Sequence, residues 1–292
     1  MSSWKLGDIT ATRVAEDLGL SSCAPEEFFV GIDTAIFARH HGWMVPVHYR
    51  PGENRLVSSI HSWLIRTGTH TILLDSCSGN GKNRPWNARF HQLNTPYLER
   101  LAAAGARPED VDIVLCTHLH SDHCGWNTRK ENGRWVPTFP NAKYLFSRRE
   151  KERWDPAHGS ERAELYNDSV LPVIESRQAV LLEGEHQIDE HLRVEPAPGH
   201  TPGHVLLKAK VGDDCAVFCG DVIHHPVQIF QPGWNTRFCE HPEQARATRR
   251  ELLEYCVEHR ALLFPAHFAP PHVVAVCEHH GGFAPAFIPG YK

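Results

Sequence analysis

Hydrophobic residues recur along this chain in short bursts that stop at polar residues able to bind metals or move protons. In SSIHSWLIRTGTHTILLDS (58–76) two apolar runs flank Thr67-Gly68-Thr69. That pattern predicts a hairpin whose second strand, Thr71 to Leu74, ends at Asp75. TPYLERLAAAG (95–105) then reads as a helix, with Thr95 as its cap, Pro96 at the first position and Gly105 closing it. VDIVLC (111–116), short and β-branched, predicts a buried strand that runs directly into THLHSDHCGWN (117–127).

The same design returns in the second half. LRVEPA (192–197) predicts a strand leading into PGHTPGH (198–204). VLLKAK and CAVFC, joined by VGDD, predict a hairpin ending at Gly220-Asp221, and ALLFPA (261–266) predicts a strand ending at His267. Helices alternate with these strands. SRREKERW (147–154) carries a capping box, Ser147 with Glu150. HPEQARATRRELLEYCVEHR (241–260) places Leu252, Leu253, Cys256 and Val257 on one face. Strands alternating with helices place the chain in the α/β class. Strand ends carrying His or Asp are expected to converge on one rim of the scaffold.

Composition narrows the function classes. The 292 residues are 41% hydrophobic and 22% charged, enough to bury a core. The net charge of −5 argues against nucleic acid as a partner. The Arg pairs Arg148/Arg149 and Arg249/Arg250 are expected on solvated helix faces. No apolar run approaches the roughly 18–20 residues of a membrane span, and the N-terminus shows no secretory signal. Nine scattered cysteines without a CxxC pair are expected to be reduced thiols, and hence the protein to be cytoplasmic. The count that stands out is 22 histidines.

His118, His120, Asp122 and His123 fall within six residues. In an extended segment, residues two apart point the same way, about 6.6 Å apart, so His118 and His120 could grip one metal. Asp122 and His123 are neighbours and cannot both face that ion, which favours two metals side by side. Imidazole and carboxylate suit Zn²⁺, and admit Fe, Mn or Co.

Taken together, THLHSDH, the Gly199-His200 pair, Gly220-Asp221 and His267 resemble the metallo-β-lactamase superfamily, over roughly residues 56 to 270. The resemblance implies an α/β fold, an αβ/βα four-layer sandwich. It treats residues 1–292 as a single domain, with 1–55 an N-terminal extension covering the site or a dimer interface. It also implies that His118, His120 and His200 hold one metal, that Asp122, His123 and His267 hold a second, and that Asp221 bridges them. Asp75 would hydrogen-bond the ligand loop rather than touch metal. Two divalent ions with two carboxylates and a bridging hydroxide leave about one net positive charge, which lowers the pKa of bound water and stabilises an oxyanion.

Within the superfamily, His120 stands where flavodiiron proteins carry Glu, and Asp221 where some zinc β-lactamases carry Cys. Only 25 residues follow His267, fewer than the helical domain of glyoxalase II-type thioesterases needs. What remains of the superfamily after these departures resembles the N-acyl homoserine lactonase and methyl parathion hydrolase-like group. It implies hydrolysis of an ester, lactone or phosphotriester of a small apolar molecule. A thioesterase, a hydrolytic dehalogenase and a non-catalytic metal-binding member are the alternatives. Lactonases usually carry Tyr three residues after the bridging Asp, and here that position is His224, which puts homoserine lactones in doubt. His224 and Asp122 are the candidates for catalytic roles, His224 as a hydrogen-bond or proton donor.

Other residues have plainer expectations. His225, before Pro226, reads as a loop residue, and His204, four residues after His200, as a structural residue or a partner that supports a ligand. His279 and His280 read as surface. Phe28, Phe29, Phe37, Trp43 and Met44 either line a pocket or cover a core or a homodimer interface. Phe230, Trp234 and Phe268 are candidate pocket walls.

Overall fold

A computed structural model of the chain describes residues 2–158 and 163–287. These residues cluster into two compact units, one of Met1–Glu16 with Ile60–His186 and the other of Asp17–Ser59 with Gln187–Lys292. In chain order the strands are β1 (Ser3–Leu6), β2 (Ile9–Leu20), β3 (Tyr49–Arg50), β4 (Arg55–Arg66), β5 (Thr71–Leu74), β6 (Ile113–Leu115), β7 (Thr128–Glu131), β8 (Arg134–Pro137), β9 (Lys143–Ser147) and β10 (Ala179–Leu182). They continue as β11 (His186–Gln187), β12 (Leu192–Pro196), β13 (Val205–Val211), β14 (Asp214–Gly220), β15 (Leu262–Pro265), β16 (Val274–His279) and β17 (Gly282–Ala286). Among the described residues, no helix is long and apolar enough to cross a membrane.

The first unit is built on the sheet β1-β2-β4-β5-β6-β9-β10. The expected hairpin forms, with β4 antiparallel to β5 and Trp63 opposite Leu74. β5, β6, β9 and β10 are parallel neighbours. Their apolar runs meet the helices in a core that includes Leu73, Val114, Tyr144, Phe146, Tyr97 and Leu101. The β1–β2 hairpin has no counterpart in the sequence reading. Its strand ITATRVAEDLGL interleaves Thr, Arg, Glu and Asp with its apolar residues, so pairing rather than hydrophobicity defines it.

Two helix details differ from expectation. The helix Tyr97–Ala103 starts late, with Pro96 at the cap position. Thr95 is occupied elsewhere, its N–H and hydroxyl both donating to Asn80 Oδ1 at 2.8 and 3.3 Å. The capping box at Ser147 does not close. Ser147 accepts from Arg149 N–H at 3.2 Å, and the buried Glu150 carboxylate turns to Leu119 N–H at 3.1 Å.

The second unit is built on the sheet β11 to β17 in sequential order. From β12 to β14 and from β15 to β17 the neighbours are antiparallel, while β14 lies parallel to β15. The helix Pro242–Glu258 buries Leu252, Leu253 and Cys256 in a core with Val217, Cys219 and Leu263, and Phe268 belongs to this core rather than to a pocket wall. Burying each such large side chain contributes about 1.5–3 kcal/mol. Arg249 corrects the expectation of a solvated pair, being fully buried while Arg250 is exposed. A second apolar cluster joins Phe29, Ile36, Phe37, Met44 and Leu56 to Val227, with Phe28, Trp43, Phe230 and Trp234 packed against it. The aromatics of the N-terminal segment therefore cover the stretch that follows Asp221. All the cysteines are free, and all but Cys277 are buried.

Candidate metal centre

In the first unit, parallel pairing brings the C-terminal ends of β5 and β6 level, Leu74 opposite Leu115. Residues just beyond such ends are the usual ligand-binding positions of parallel sheets. Asp75 follows β5 and is held there by its own N–H donating to Leu115 O at 2.8 Å. Its φ of +53° is left-handed, a strained setting for a residue other than glycine. The carboxylate accepts Thr117 N–H at 2.8 Å and the Thr117 hydroxyl at 3.0 Å, and it faces His123 Nδ1 at 2.9 Å. Asp75 thus braces both ends of the 117–123 loop, as expected of a residue that orients ligands. With Nδ1–H given to Asp75, the lone pair of the neutral His123 ring sits on Nε2.

The loop itself is bent, not extended as the spacing argument supposed. The bend brings His118 Nε2 within 2.9 Å of His120 Nδ1. Asp122 is partly exposed, with its Oδ2 3.9 Å from His123 Nε2. Three contacts hold the bend. Glu150 takes Leu119 N–H, Ser76 N–H donates to His123 O at 2.7 Å, and Gly125 N–H donates to Cys77 O at 2.7 Å. Gly125 has to be glycine, because a Cβ there would lie 1.8 Å from Ser78 O. Trp154, on the same helix as Glu150, sets its ring edge against His120 at 5.7 Å.

In the second unit, the parallel pair β14–β15 repeats the arrangement, with Gly220 opposite Pro265. Asp221 and His267 follow these strand ends. Asp221 Oδ1 lies 3.0 Å from His267 Nε2. Its Oδ2 lies 3.3 Å from His200 Nε2 and 3.2 Å from His224 Nε2. His267 Nδ1 lies 3.0 Å from the Ser59 carbonyl, a contact only a donor can make, so the neutral ring turns a lone pair toward Asp221. Two acceptors at 3.0 Å repel unless a cation or a second ring proton lies between them. The donor set of this unit therefore suits a divalent cation, and His–carboxylate chemistry suits zinc.

Three residues support the stretch around Asp221, and two of them, Gln228 and Arg249, take roles the sequence did not assign. His204 is a partner of the site, its Nε2 accepting the Asp221 N–H at 3.1 Å. Gln228 Oε1 accepts His224 N–H at 2.8 Å, and Gln228 Nε2 donates to Trp234 O at 2.9 Å. Arg249 Nε donates to Val222 O at 2.8 Å, next to Asp221. Burial lowers the Arg249 pKa to about 10, which leaves it charged at neutral pH.

His224 and His225 are both buried and diverge in role. Burial lowers the His224 pKa against the pull of Asp221, and Phe28 meets its ring edge-on at 6.1 Å. His225 is not a loop bystander. Its Nε2 donates to His48 O at 3.0 Å and its Nδ1 accepts Val227 N–H at 3.2 Å. It pins the N-terminal segment to the stretch after Asp221, and burial lowers its pKa to about 4. Phe230 stacks on His40 at 4.1 Å, part of the same packing. His279 and His280 are exposed, as expected.

Known proteins give the geometry a family. The N-acyl homoserine lactonase of Bacillus cereus is 28% identical over 107 residues, 37% of this chain and 36% of that one. The hydroxyacylglutathione hydrolase of Aeromonas hydrophila is 29% identical over 193 residues, 65% of this chain and 54% of that one. The chain thus spans about a third of the length of the curated lactonase it matches. The solved structure of the hydrolase AbOPH, of the beta-lactamase superfamily, superposes with a TM-score of 0.81 at 23% identity, covering 100% of this chain and 98% of that one. The dizinc quorum-quenching lactonase AidC gives 0.80 at 19% identity, covering 99% and 98%. These two share the fold expected from the sequence motifs. The family model for the metallo-beta-lactamase superfamily matches residues 55–278, and with the motifs seated at the strand ends, the chain belongs to that superfamily.

Proposed function

We propose that the protein is a metal-dependent hydrolase of a small apolar ester, lactone or phosphotriester, working with two divalent cations, zinc by ligand chemistry. The two units are read as halves of one catalytic domain. His118, His120 and His200 would hold one cation and Asp122, His123 and His267 the other, with Asp221 as the ligand they would share. The observation that carries this reading is the Asp221 carboxylate, faced by the Nε2 atoms of His200, His224 and His267 at 3.0–3.3 Å. When bound, two such cations make water nucleophilic near neutral pH and stabilise the oxyanion formed at a carbonyl or phosphoryl group. Asp122, partly exposed in its loop, takes up the proton released on attack and returns it to the leaving group. His224, kept neutral by burial, donates a hydrogen bond to the substrate oxygen. The reading includes a reducing, cytosolic setting, in keeping with the free thiols.

The test is a panel of lactones, aryl esters, phosphotriesters and thioesters, with metal content measured alongside. The thioester belongs in it because of the similarity to a hydroxyacylglutathione hydrolase. Metal-loaded protein should cleave at least one ester-type substrate, chelation should abolish the activity, and His118→Ala should lack it. Equal activity in His118→Ala, or well under two metals per chain in the wild type, overturns the proposal.

A further inference from the structure

Helix Pro242–Glu258 is tied by adjacent residues to two separate loops of its unit. The Thr248 hydroxyl donates to Pro198 O at 2.6 Å, two residues before His200. Arg249 Nε donates to Val222 O at 2.8 Å, one residue after Asp221. Nearer the start of the helix, Glu240 N–H donates to His200 O and His241 N–H to Gly199 O, each at 3.0 Å. Gly199, at φ +133°, lies so close that a Cβ there would sit 2.3 Å from Ala245 N.

Arg249 is a fully buried cation that donates its hydrogen bonds to neutral backbone and amide acceptors. Besides Val222 O, Nη1 donates to Pro232 O at 2.7 Å, Trp234 O at 3.0 Å and Asn235 Oδ1 at 3.2 Å, and Nη2 to Asn235 Oδ1 at 3.3 Å. Burying a charge is costly unless its donors are well satisfied, and an apolar side chain of similar length would fill the same core at less cost. What the guanidinium adds is a fixed fork of donors.

We infer that Thr248 and Arg249 are positioning residues that set the spacing between the His200 and Asp221 loops, and so the geometry of the cation they share. His200 Nε2 and Asp221 Oδ2 stand 3.3 Å apart. Neither of the two residues touches that pair of atoms, and each fixes the backbone of one of the loops. This inference rests on the proposed metal centre.

The experiment titrates cobalt(II) into metal-free wild type, Thr248→Val, Arg249→Lys and Arg249→Met, following the visible d–d spectrum. Cooperative unfolding identifies the variants that fold. Supporting residues of this kind are worth about 10- to 100-fold in metal affinity. Arg249→Met should weaken binding by that factor and shift the spectrum, Thr248→Val should do so to a smaller degree, and Arg249→Lys should recover part of the loss. If Arg249→Met fails to fold, Thr248→Val and Arg249→Lys carry the test. Folded variants with wild-type affinity and spectrum overturn the inference. Weaker binding with an unchanged spectrum marks a general loss of packing and also overturns it. A wild type that takes up no cobalt overturns the metal centre itself.

Discussion

His123 Nδ1 and Asp75 Oδ2 stand 2.9 Å apart in the interior of the first unit. The contact fixes the histidine tautomer, and Thr117 draws on the same carboxylate. Asp75 therefore couples the end of β5 to both ends of the histidine loop. Asp75→Ala leaves the Thr117 N–H, the Thr117 hydroxyl and the His123 ring without this acceptor. The expected cost is about 1–3 kcal/mol for each buried group left unsatisfied, with a loss of about 10- to 100-fold in metal affinity. Denaturant unfolding of metal-free protein and a zinc-competition titration measure the two effects separately. An unchanged zinc affinity would exclude a role for Asp75 in orienting ligands.

Replacing His224 separates chemistry from coordination. His224→Phe should lower turnover by about 10²- to 10⁴-fold while metal content stays at the wild-type level. The ring is buried against Phe28, so the aromatic replacement preserves most of the packing. Loss of metal in the variant would instead make His224 a ligand or a structural partner of Asp221, whose Oδ2 lies 3.2 Å from its Nε2.

Stability should fall on mild acidification because of His48 and His225. Burial lowers their folded pKa values to about 3 and about 4, and their rings meet edge-on at 5.8 Å. Unfolded, each takes a proton near pH 6.5, while the folded form refuses it until far lower pH. The contribution is therefore complete above about 6.5 and is lost as pH falls toward 4. At pH 5.5 the loss is on the order of 1 kcal/mol per histidine. Urea unfolding of metal-free wild type and of the His48→Gln, His225→Gln double variant, at pH 7.5 and 5.5, measures this contribution. The double variant should lose less stability between the two pH values. Equal losses would place the acid sensitivity elsewhere.

The candidate metal ligands were legible in the chain because each lies on a short stretch that follows an apolar strand, and strand ends are local features. So was Asp75, since the hairpin that carries it is set by alternation and a turn. The supporting residues were not legible. Arg249 sits beside Arg250 in a helix whose pattern cannot tell a buried guanidinium from a solvated one. Glu150 suits a capping box in sequence, and only folding turns its carboxylate to Leu119, 31 residues away.

By itself the sequence determined which residues can bind cations, in which order, and on what class of scaffold. Those choices follow from side-chain chemistry and from periodicities of a few residues. Only the tertiary structure decided what holds them. Asp221 takes its N–H partner from His204, 17 residues earlier, and His267 gives its Nδ1–H to Ser59, 208 residues earlier. Contacts across such separations leave no local periodicity. They exist once parallel strand ends and buried donors have been packed together, where an unpaired polar group would cost more than the sequence pattern records.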